Sequence, residues 1–291
     1  STEAGSNEYR FRLAYAAGDR FVFTEEQWRF VRSGGDRQKR WTGEEAGHPE
    51  SLLLQEAERG DKTTEFMRDL LRRVVVYQFH NTSMTARMRT QWDTRDNRYL
   101  KEDGANLAPV LLRLRRERPQ HYHRVATTIR RVLPFFADFE FDEGAVRQIL
   151  TWRERGSDRL FDASQAADGM LRVMALCTLL LLPDEDLPNA LILDEPELGL
   201  HPSAIGIVGG LIRSLSSRVQ VMVATQSPAL VDCFGPEDVL VVERGPGDER
   251  GGRPGGDESV FRRLDGEKLS AWMEAYSLSE LWEKEVLGGA P

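Results

Sequence analysis

The sequence contains few cysteines and no long hydrophobic segment. Its two cysteines, Cys177 and Cys233, both stand among apolar residues, which favours reduced thiols over a disulfide framework. The longest apolar run, residues 173–182, is too short to cross a bilayer. A charged and then apolar leader is also lacking at the start. We therefore expect a cytoplasmic protein that does not enter a membrane.

A glycine-rich phosphate loop of the form G-x-x-x-x-G-K-[ST] does not occur in the sequence. Only five lysines are present, and none of them follows a glycine. Such a loop supplies the backbone amides and the lysine that hold the phosphates of a nucleotide. We therefore expect the 291 residues by themselves to bind ATP weakly or not at all.

Positive charge is scarce overall but locally concentrated. The formal net charge of -8 argues against a basic nucleic-acid coat protein. Within residues 68–131, however, fifteen arginines and lysines stand against six acids. This asymmetry has two interpretations, an anionic partner such as DNA or a set of solvated helix faces. The candidate DNA contacts are Arg113, Arg115, Arg116 and Arg118.

The pattern of apolar residues predicts an α/β protein. Residues 9–32 alternate apolar and polar side chains around Gly18-Asp19, which indicates a β-hairpin. Residues 82–155 have mostly helical spacing, and helices alternate with apolar strands from residue 161 onward. That alternation is typical of a parallel sheet that is covered on both faces.

Two adjacent carboxylates follow one of the apolar strands. In "ALILDEP" four hydrophobic residues lead into Asp194 and Glu195, and Pro196 fixes the exit of the chain. Ligands bind at the carboxyl ends of strands in open parallel sheets. Phosphate-transfer sites need one carboxylate for Mg2+ and a second one that activates water. The pair therefore predicts such a site.

Two neighbouring segments strengthen this prediction. The next strand ends at Thr225, Gln226 and Ser227. The side-chain amide of Gln226 can both donate and accept hydrogen bonds, so it can position a water molecule. Before the carboxylate strand, residues 163–176 form a polar turn that opens a long apolar helix. Free amides at such a helix start bind anions.

In this order the segments resemble the C-terminal half of an ABC-type ATPase head of the SMC/RecF/OLD-like group, among bacterial AAA-family ATPases. The matching motifs are the signature turn "DGMLR" (168–172), the Walker B strand "LILDEP" (191–196), the D-loop "ELGLHP" (197–202) and the switch "TQSP" (225–228). The resemblance extends to residues 96–111 and to the C-terminal tail, so it covers nearly the whole chain.

The resemblance implies a P-loop NTPase-like fold in three parts. The first, residues 1–80, would be the β-rich part of the ATPase core with antiparallel strands. Residues 81–158 would form a helical, basic insertion. The third part, residues 159–291, would be the C-terminal lobe with the parallel sheet, the motifs above and the last helices.

The resemblance also assigns roles to residues. Asp194 would coordinate Mg2+, Glu195 would act as general base on water, and Gln226 would sense the γ-phosphate of ATP. Further nucleotide contacts would come from Asp168, Gly169, Arg172, Gly199, His201 and Thr225. In this family two heads sandwich two ATP molecules, which implies a homodimer, and the heads act on DNA or on a partner effector protein.

The sequence departs from the family pattern at two points. The phosphate loop, called Walker A, would lie upstream of the first strands, which fits a sequence that begins late. In addition, Ala166 and Ala167 stand before Asp168, where the signature usually has a serine. An alternative function is therefore a non-catalytic, degenerate ATPase-fold module that acts as a scaffold for partner proteins. A metal nuclease would also use a carboxylate pair, but it would need further acids and histidines at strand ends, which this sequence lacks.

Overall fold

The computed structural model describes residues 5–34, 41–44, 47–246 and 257–288. The chain divides into two compact units, residues 1–74 and 75–291. The three-part division at residues 80 and 158 stays a prediction. Within the described ranges, no helix has the length and apolar character that crossing a membrane would require.

Strands and helices are numbered in chain order. The strands are β1 (Gly5–Ala16), β2 (Arg20–Arg32), β3 (Thr42–Glu44), β4 (Val74–Tyr77), β5 (Trp92–Asp93), β6 (Phe136–Glu140), β7 (Arg147–Gln148), β8 (Thr151–Glu154), β9 (Leu160–Asp162), β10 (Ala190–Asp194), β11 (Gln220–Ala224), β12 (Leu240–Pro246) and β13 (Asp257–Arg263). The helices are α1 (Leu53–Glu58), α2 (Lys62–Leu71), α3 (Leu107–Glu117), α4 (Pro119–Val132), α5 (Asp168–Leu180), α6 (Pro202–Ser216), α7 (Pro228–Val231), α8 (Gly266–Met273) and α9 (Leu278–Glu283).

The first unit is built on the predicted hairpin. Strands β1 and β2 pair in antiparallel fashion from Ala16↔Arg20 at the turn, and β3 adds to the other side of β2. The turn contains Gly18 and Asp19, both with positive φ, which a glycine and an aspartate adopt more readily than most residues. The hairpin prediction is confirmed.

A buried carboxylate organises the inner face of this hairpin. Glu26 accepts hydrogen bonds from the Tyr9 hydroxyl (2.7 Å), His48 Nε2 (2.7 Å), the Ser51 hydroxyl (2.5 Å) and the Leu52 amide (2.9 Å). Burial by itself would raise the pKa of Glu26, but these hydrogen bonds outweigh it and lower the pKa. The carboxylate therefore joins β1, β2 and the start of α1.

The central sheet of the second unit has the order β11-β10-β4. Strands β10 and β11 are parallel, with Leu193 opposite Val223 and Asp194 opposite Ala224. Leu191 and Leu193 point into the main hydrophobic core, which they share with residues of α5 and α6. Parallel pairing aligns the carboxyl ends of β10 and β11 on one rim, as the sequence predicts.

The opposite face of the central sheet is exposed. Ile192 pairs with Met222 on this face, and the Met222 side chain is 56% exposed. Val76 of β4 is 44% exposed. The expectation of a sheet covered on both faces is therefore wrong for the described part of the chain, because helices of that part pack on one face only.

Two helices, α3 and α4, occupy the segment that the sequence predicts as a helical insertion, and short antiparallel strands follow them. Pro119 stands at the first turn of α4, directly after the end of α3. Asn106 precedes α3, but its side chain binds the 96–101 loop, accepting from the Lys101 amide and donating to carbonyls of Asp96 and Tyr99. Residues of α3 and α4 belong to the same core as α5.

Candidate functional site

The two carboxylates stand on the rim of the central sheet. Asp194 is the last residue of β10, and Glu195 follows it with a φ of 41°. Left-handed backbone is uncommon for a residue with a side chain, and such strain concentrates at functional sites. The Glu195 amide donates to the Ala224 carbonyl (2.8 Å), so β11 holds this turn in place.

Residues after β4 hold Asp194 from the other side. The Gln78 side-chain amide donates to Asp194 Oδ2 (3.1 Å), and His80 Nε2 lies 2.8 Å from the Asp194 backbone carbonyl. Because a carbonyl can only accept, His80 carries its proton on Nε2 in this contact. Neither Gln78 nor His80 is among the residues that the sequence predicts for the site. The only signal is that polar side chains follow an apolar strand there.

Glu197 is a third residue at this rim that the sequence-based prediction missed. Its side chain is 8% exposed, and Oε1 accepts a hydrogen bond from the Thr225 hydroxyl (2.5 Å). Burial and the neighbouring Glu195 carboxylate raise the pKa of Glu197, although the Thr225 bond opposes this. Glu195 and Glu197 thus form a carboxyl pair, for which the repeated acids of "DEPE" are the sequence signal.

The switch segment lies beside this pair. Thr225 Oγ1 donates to Glu197 and accepts from the Ser227 amide (2.9 Å). The Ser227 side chain in turn accepts from the Leu230 amide and caps α7. These bonds fix the backbone on both sides of Gln226, whose side chain is exposed. The geometry therefore presents Gln226 to solvent at the rim.

Arg172 connects the signature segment with the D-loop segment. Its guanidinium donates to the backbone carbonyls of Phe79 (3.1 Å), His80 (3.0 Å) and Leu198 (2.9 Å). Gly199 has a φ of 73°, and a Cβ built there would lie 2.5 Å from Arg172 Nη1. Arg172, predicted as a nucleotide contact, thus binds backbone of its own chain in this structure.

The start of α5 is held by Arg89. The Arg89 guanidinium donates to the carbonyls of Thr82 (2.8 Å), Ala163 and Ala166 (3.0 Å) and to Asp168 Oδ1 (2.8 Å). Arg89 is buried, and no feature of the sequence distinguishes it from the other arginines. It fixes the turn in which Asp168 and the following glycine stand.

Gly169 and His201 shape the space between α5 and α6. A Cβ at Gly169 would lie 2.6 Å from the Gly199 carbonyl oxygen, so the two glycines allow a close approach of their segments. His201 is the N-cap of α6, where its Nδ1 accepts from the Ser203 amide (3.3 Å). The structure therefore gives His201 a role in capping a helix.

A small cavity lies directly beneath the carboxylates. Its volume is about 10 Å³, which is room for at most one water molecule, so it does not admit a nucleotide. The cavity is lined by Tyr77, Phe79, His80, Arg172, Leu176, Leu193, Asp194, Glu195 and Pro196. A nucleotide at this rim would therefore lie on its open side.

The oxygen atoms at the rim suit Mg2+. Across the described ranges, no group of three or more His, Cys, Asp or Glu side chains is arranged to hold a metal ion. Mg2+ is usually bound through one or two carboxylates, phosphates and water. Asp194, with the Gln78 amide beside it, provides such a carboxylate.

The candidate DNA-binding arginines all have partners within the chain. Arg113 forms an ion pair with buried Asp186 (2.5 Å), and Arg118 pairs with Glu185 (2.7 Å). Arg115 and Arg116 both approach Glu143 (3.8 and 3.6 Å). Arg113 also donates to two backbone carbonyls. These contacts are typical of structural ion pairs, and the DNA contact stays a prediction.

The fold and the rim define a class of protein. An α/β unit with polar side chains at the carboxyl ends of parallel strands is typical of nucleotide-binding domains. Residues 5–232 match the family described as "AAA domain, putative AbiEii toxin, Type IV TA system", and the chain belongs to this family. The match confirms the predicted resemblance to AAA-family ATPases, so the chain carries an AAA-type ATPase domain.

Solved structures to which the chain is similar include SMC head domains. One is an SMC head bound to the C-terminal winged-helix domain of ScpA, at 10% identity, with 87% of this chain and 71% of that chain covered and a TM-score of 0.47. Another is the SMC head domain from Thermotoga maritima, at 11% identity, with 87% and 72% covered and a TM-score of 0.39. No curated protein sequence matches the chain.

Proposed function

We propose that the chain is part of an ABC-type ATPase head that hydrolyses Mg-ATP at the rim formed by Asp194 and Glu195. The observation that carries this proposal is the geometry of the pair. Asp194 is held by Gln78 and His80, and Glu195 follows in a strained, left-handed turn. A carboxylate pair fixed at the end of a parallel strand suits phosphate transfer.

Each rim residue has one task in this reaction. Asp194 would hold Mg2+ together with the phosphates, and Glu195 would accept the proton of the attacking water. Gln226, which is exposed beside them, would orient that water through its amide. Bound Mg2+ would offset the negative charge of the carboxylates and the triphosphate. Thr225 would support Gln226 through its bonds to Glu197 and Ser227.

Hydrolysis requires a phosphate loop that these 291 residues do not contain. The proposal therefore includes a glycine-rich loop that another segment or chain supplies. The exposed apolar face of the central sheet, with Met222 and Val76, supports this part of the proposal. Parallel sheets are normally covered on both faces, so an additional element packed there would complete the fold.

The proposal extends to ATP-dependent dimerisation. The start of α5 at Asp168 and Gly169 and the segment at Gly199 and His201 lie close together, and both would face the nucleotide of a second head. Opening and closing of the two heads would act on DNA or on an effector protein. The arginines for DNA would be Arg113, Arg115, Arg116 and Arg118, and their binding would weaken steeply with salt.

Hydrolysis of ATP by the natural full-length protein tests the proposal. We expect Mg-dependent turnover in the unsubstituted protein, and a loss of at least about 100-fold in kcat for Glu195→Gln, since the amide cannot accept the proton. The Glu195→Gln protein should accumulate as a nucleotide-bound dimer in light scattering. Glu274→Gln, at an exposed glutamate of the C-terminal region, is the matched control. Robust turnover by Glu195→Gln would contradict the proposal.

A non-catalytic scaffold is the second candidate function. Arg172 and Asp168 bind groups of their own chain, which leaves fewer contacts for a nucleotide, and this observation favours a degenerate module. Calorimetric titration of the full-length protein with Mg-ATP separates the two functions. Micromolar affinity would exclude the scaffold, whereas no binding at millimolar nucleotide would favour it.

A further inference from the structure

Glu197 lies inside the proposed ATPase site, but the chemistry above gives it no direct task. Its carboxyl group is almost completely buried, and among the residues that the structure describes, Glu197 Oε2 is a buried side-chain atom without a hydrogen-bond partner. Leaving a buried polar atom unsatisfied lowers stability. Such an arrangement in a well-packed core calls for a functional explanation.

One side of Glu197 is connected to the switch segment. Oε1 accepts from the Thr225 hydroxyl (2.5 Å), and Thr225 Oγ1 accepts from the Ser227 amide (2.9 Å). Two consecutive hydrogen bonds thus link the carboxyl group of Glu197 to the backbone on both sides of Gln226. Movement of Glu197 would be transmitted to that turn.

The Thr225 hydroxyl supplies the hydrogen bond that holds the Glu197 carboxyl group, since Oε2 has no partner among the described residues. A carboxyl oxygen can accept from a hydroxyl group, whereas an aliphatic side chain cannot. The contact with the switch segment therefore depends on an acceptor at the end of the side chain at position 197.

We propose that Glu197 is a positioning residue that fixes the turn carrying Gln226 through its hydrogen bond to Thr225. This inference rests on the proposed ATPase function. Glu197 itself contacts neither the attacking water nor the phosphates. It acts through the turn that carries Gln226, so that the amide of Gln226 meets the water molecule that Glu195 activates. Small errors in such alignment cost much of the rate.

Two substitutions of Glu197 separate positioning from simple packing. In Glu197→Gln the side-chain oxygen can still accept from Thr225, so kcat should fall much less than in Glu197→Leu. In Glu197→Leu the bond to Thr225 is lost, and kcat should fall by about 10- to 100-fold with little change in KM for Mg-ATP. The melting temperature of each variant is measured beside kcat, so that a loss of rate is distinguished from a loss of folded protein.

Thr225 provides an independent pair of variants. Thr225→Ser keeps the hydroxyl group and should lower kcat much less than Thr225→Val, which loses it. Because Glu197 and Thr225 act through one hydrogen bond, the double variant Glu197→Leu/Thr225→Val should lose little more than Glu197→Leu alone. Hydrogen exchange of the Ser227 amide should become faster in Thr225→Val, whether or not nucleotide is present.

The outcomes distinguish this inference from the proposed function. If the unsubstituted full-length protein does not hydrolyse ATP, the proposed function fails and the inference fails with it. If it hydrolyses ATP and Glu197→Leu or Thr225→Val does so at the same rate, only the inference is overturned. Equal losses of kcat in Glu197→Gln and Glu197→Leu would also overturn it, because the hydrogen bonds would then not matter.

Discussion

Arg89 and Asp168 form an ion pair of 2.8 Å in which the guanidinium is buried and the carboxylate is mostly exposed. The guanidinium also binds the carbonyls of Thr82, Ala163 and Ala166. The arginine therefore holds the backbone turn that opens α5, and Asp168 contributes only one of its contacts.

Replacing Arg89 should affect stability far more than replacing its acidic partner. Arg89→Ala leaves three carbonyls without their donor in a buried place, so the free energy of unfolding should fall by about 3 kcal/mol. Asp168→Asn removes charge from an exposed side chain and should cost less than about 1 kcal/mol. Urea unfolding of both variants measures the difference. Equal losses would contradict this account of the turn.

Gly199 should not tolerate a side chain. Its φ of 73° and the 2.5 Å separation between an added Cβ and Arg172 Nη1 both oppose alanine. Gly199→Ala should therefore lower the free energy of unfolding by about 1–3 kcal/mol. Gly206, inside α6 with open space around it, is the control, and Gly206→Ala should raise stability by about 0.5–1 kcal/mol. If Gly199→Ala unfolds at the same temperature as the unsubstituted protein, Arg172 is able to move away from the added Cβ.

Arg113 should behave as a structural residue. Its side chain is 11% exposed and pairs with Asp186, which is 5% exposed. Arg113→Ala leaves the Asp186 charge buried without its partner, so the expected loss in unfolding free energy is about 3 kcal/mol. Arg124→Ala, at an exposed position of α4, should change it by less than about 0.5 kcal/mol. Any loss of DNA binding in Arg113→Ala must therefore be compared with the free energy of unfolding of the same variant, measured by chemical denaturation.

Acid should weaken the first unit through Glu26. Since the folded pKa of Glu26 is lowered, its contribution to stability is fully present above the unfolded pKa of about 4.3 and is lost as the pH falls through the folded pKa. Hydrogen-exchange protection of the Leu52 amide, which donates to Glu26, should fall as the pH drops below about 4. In Glu26→Gln the protection should be lower at pH 7 and less dependent on pH.

Local patterns were sufficient to predict much of the fold and part of the site. The hairpin turn at Gly18-Asp19 and the end of β10 at Asp194 both follow from the adjacent residues. Turn-forming residues, proline and the change from apolar to charged side chains act over a few positions, so one sequence suffices. The alignment of β10 and β11 follows from the helix between them.

Contacts between distant residues could not be predicted in this way. Gln78 reaches Asp194 across 116 positions, and Arg89 reaches Asp168 across 79. Neither pair has a periodic spacing, and nothing in the sequence around Arg89 distinguishes it from the other arginines of the basic region. The same reason applies to Arg113, whose partner Asp186 lies 73 positions away.

The sequence by itself determined which residues end the strands and begin the helices, and so it put Asp194, Glu195 and Gln226 on one rim. Only the tertiary structure decided what surrounds them. In the folded chain Glu197 is buried beside Thr225, Arg172 binds backbone carbonyls, and one face of the central sheet is exposed. The physical reason is that local conformation depends on neighbouring residues, whereas burial and pairing depend on segments that meet only in the folded chain.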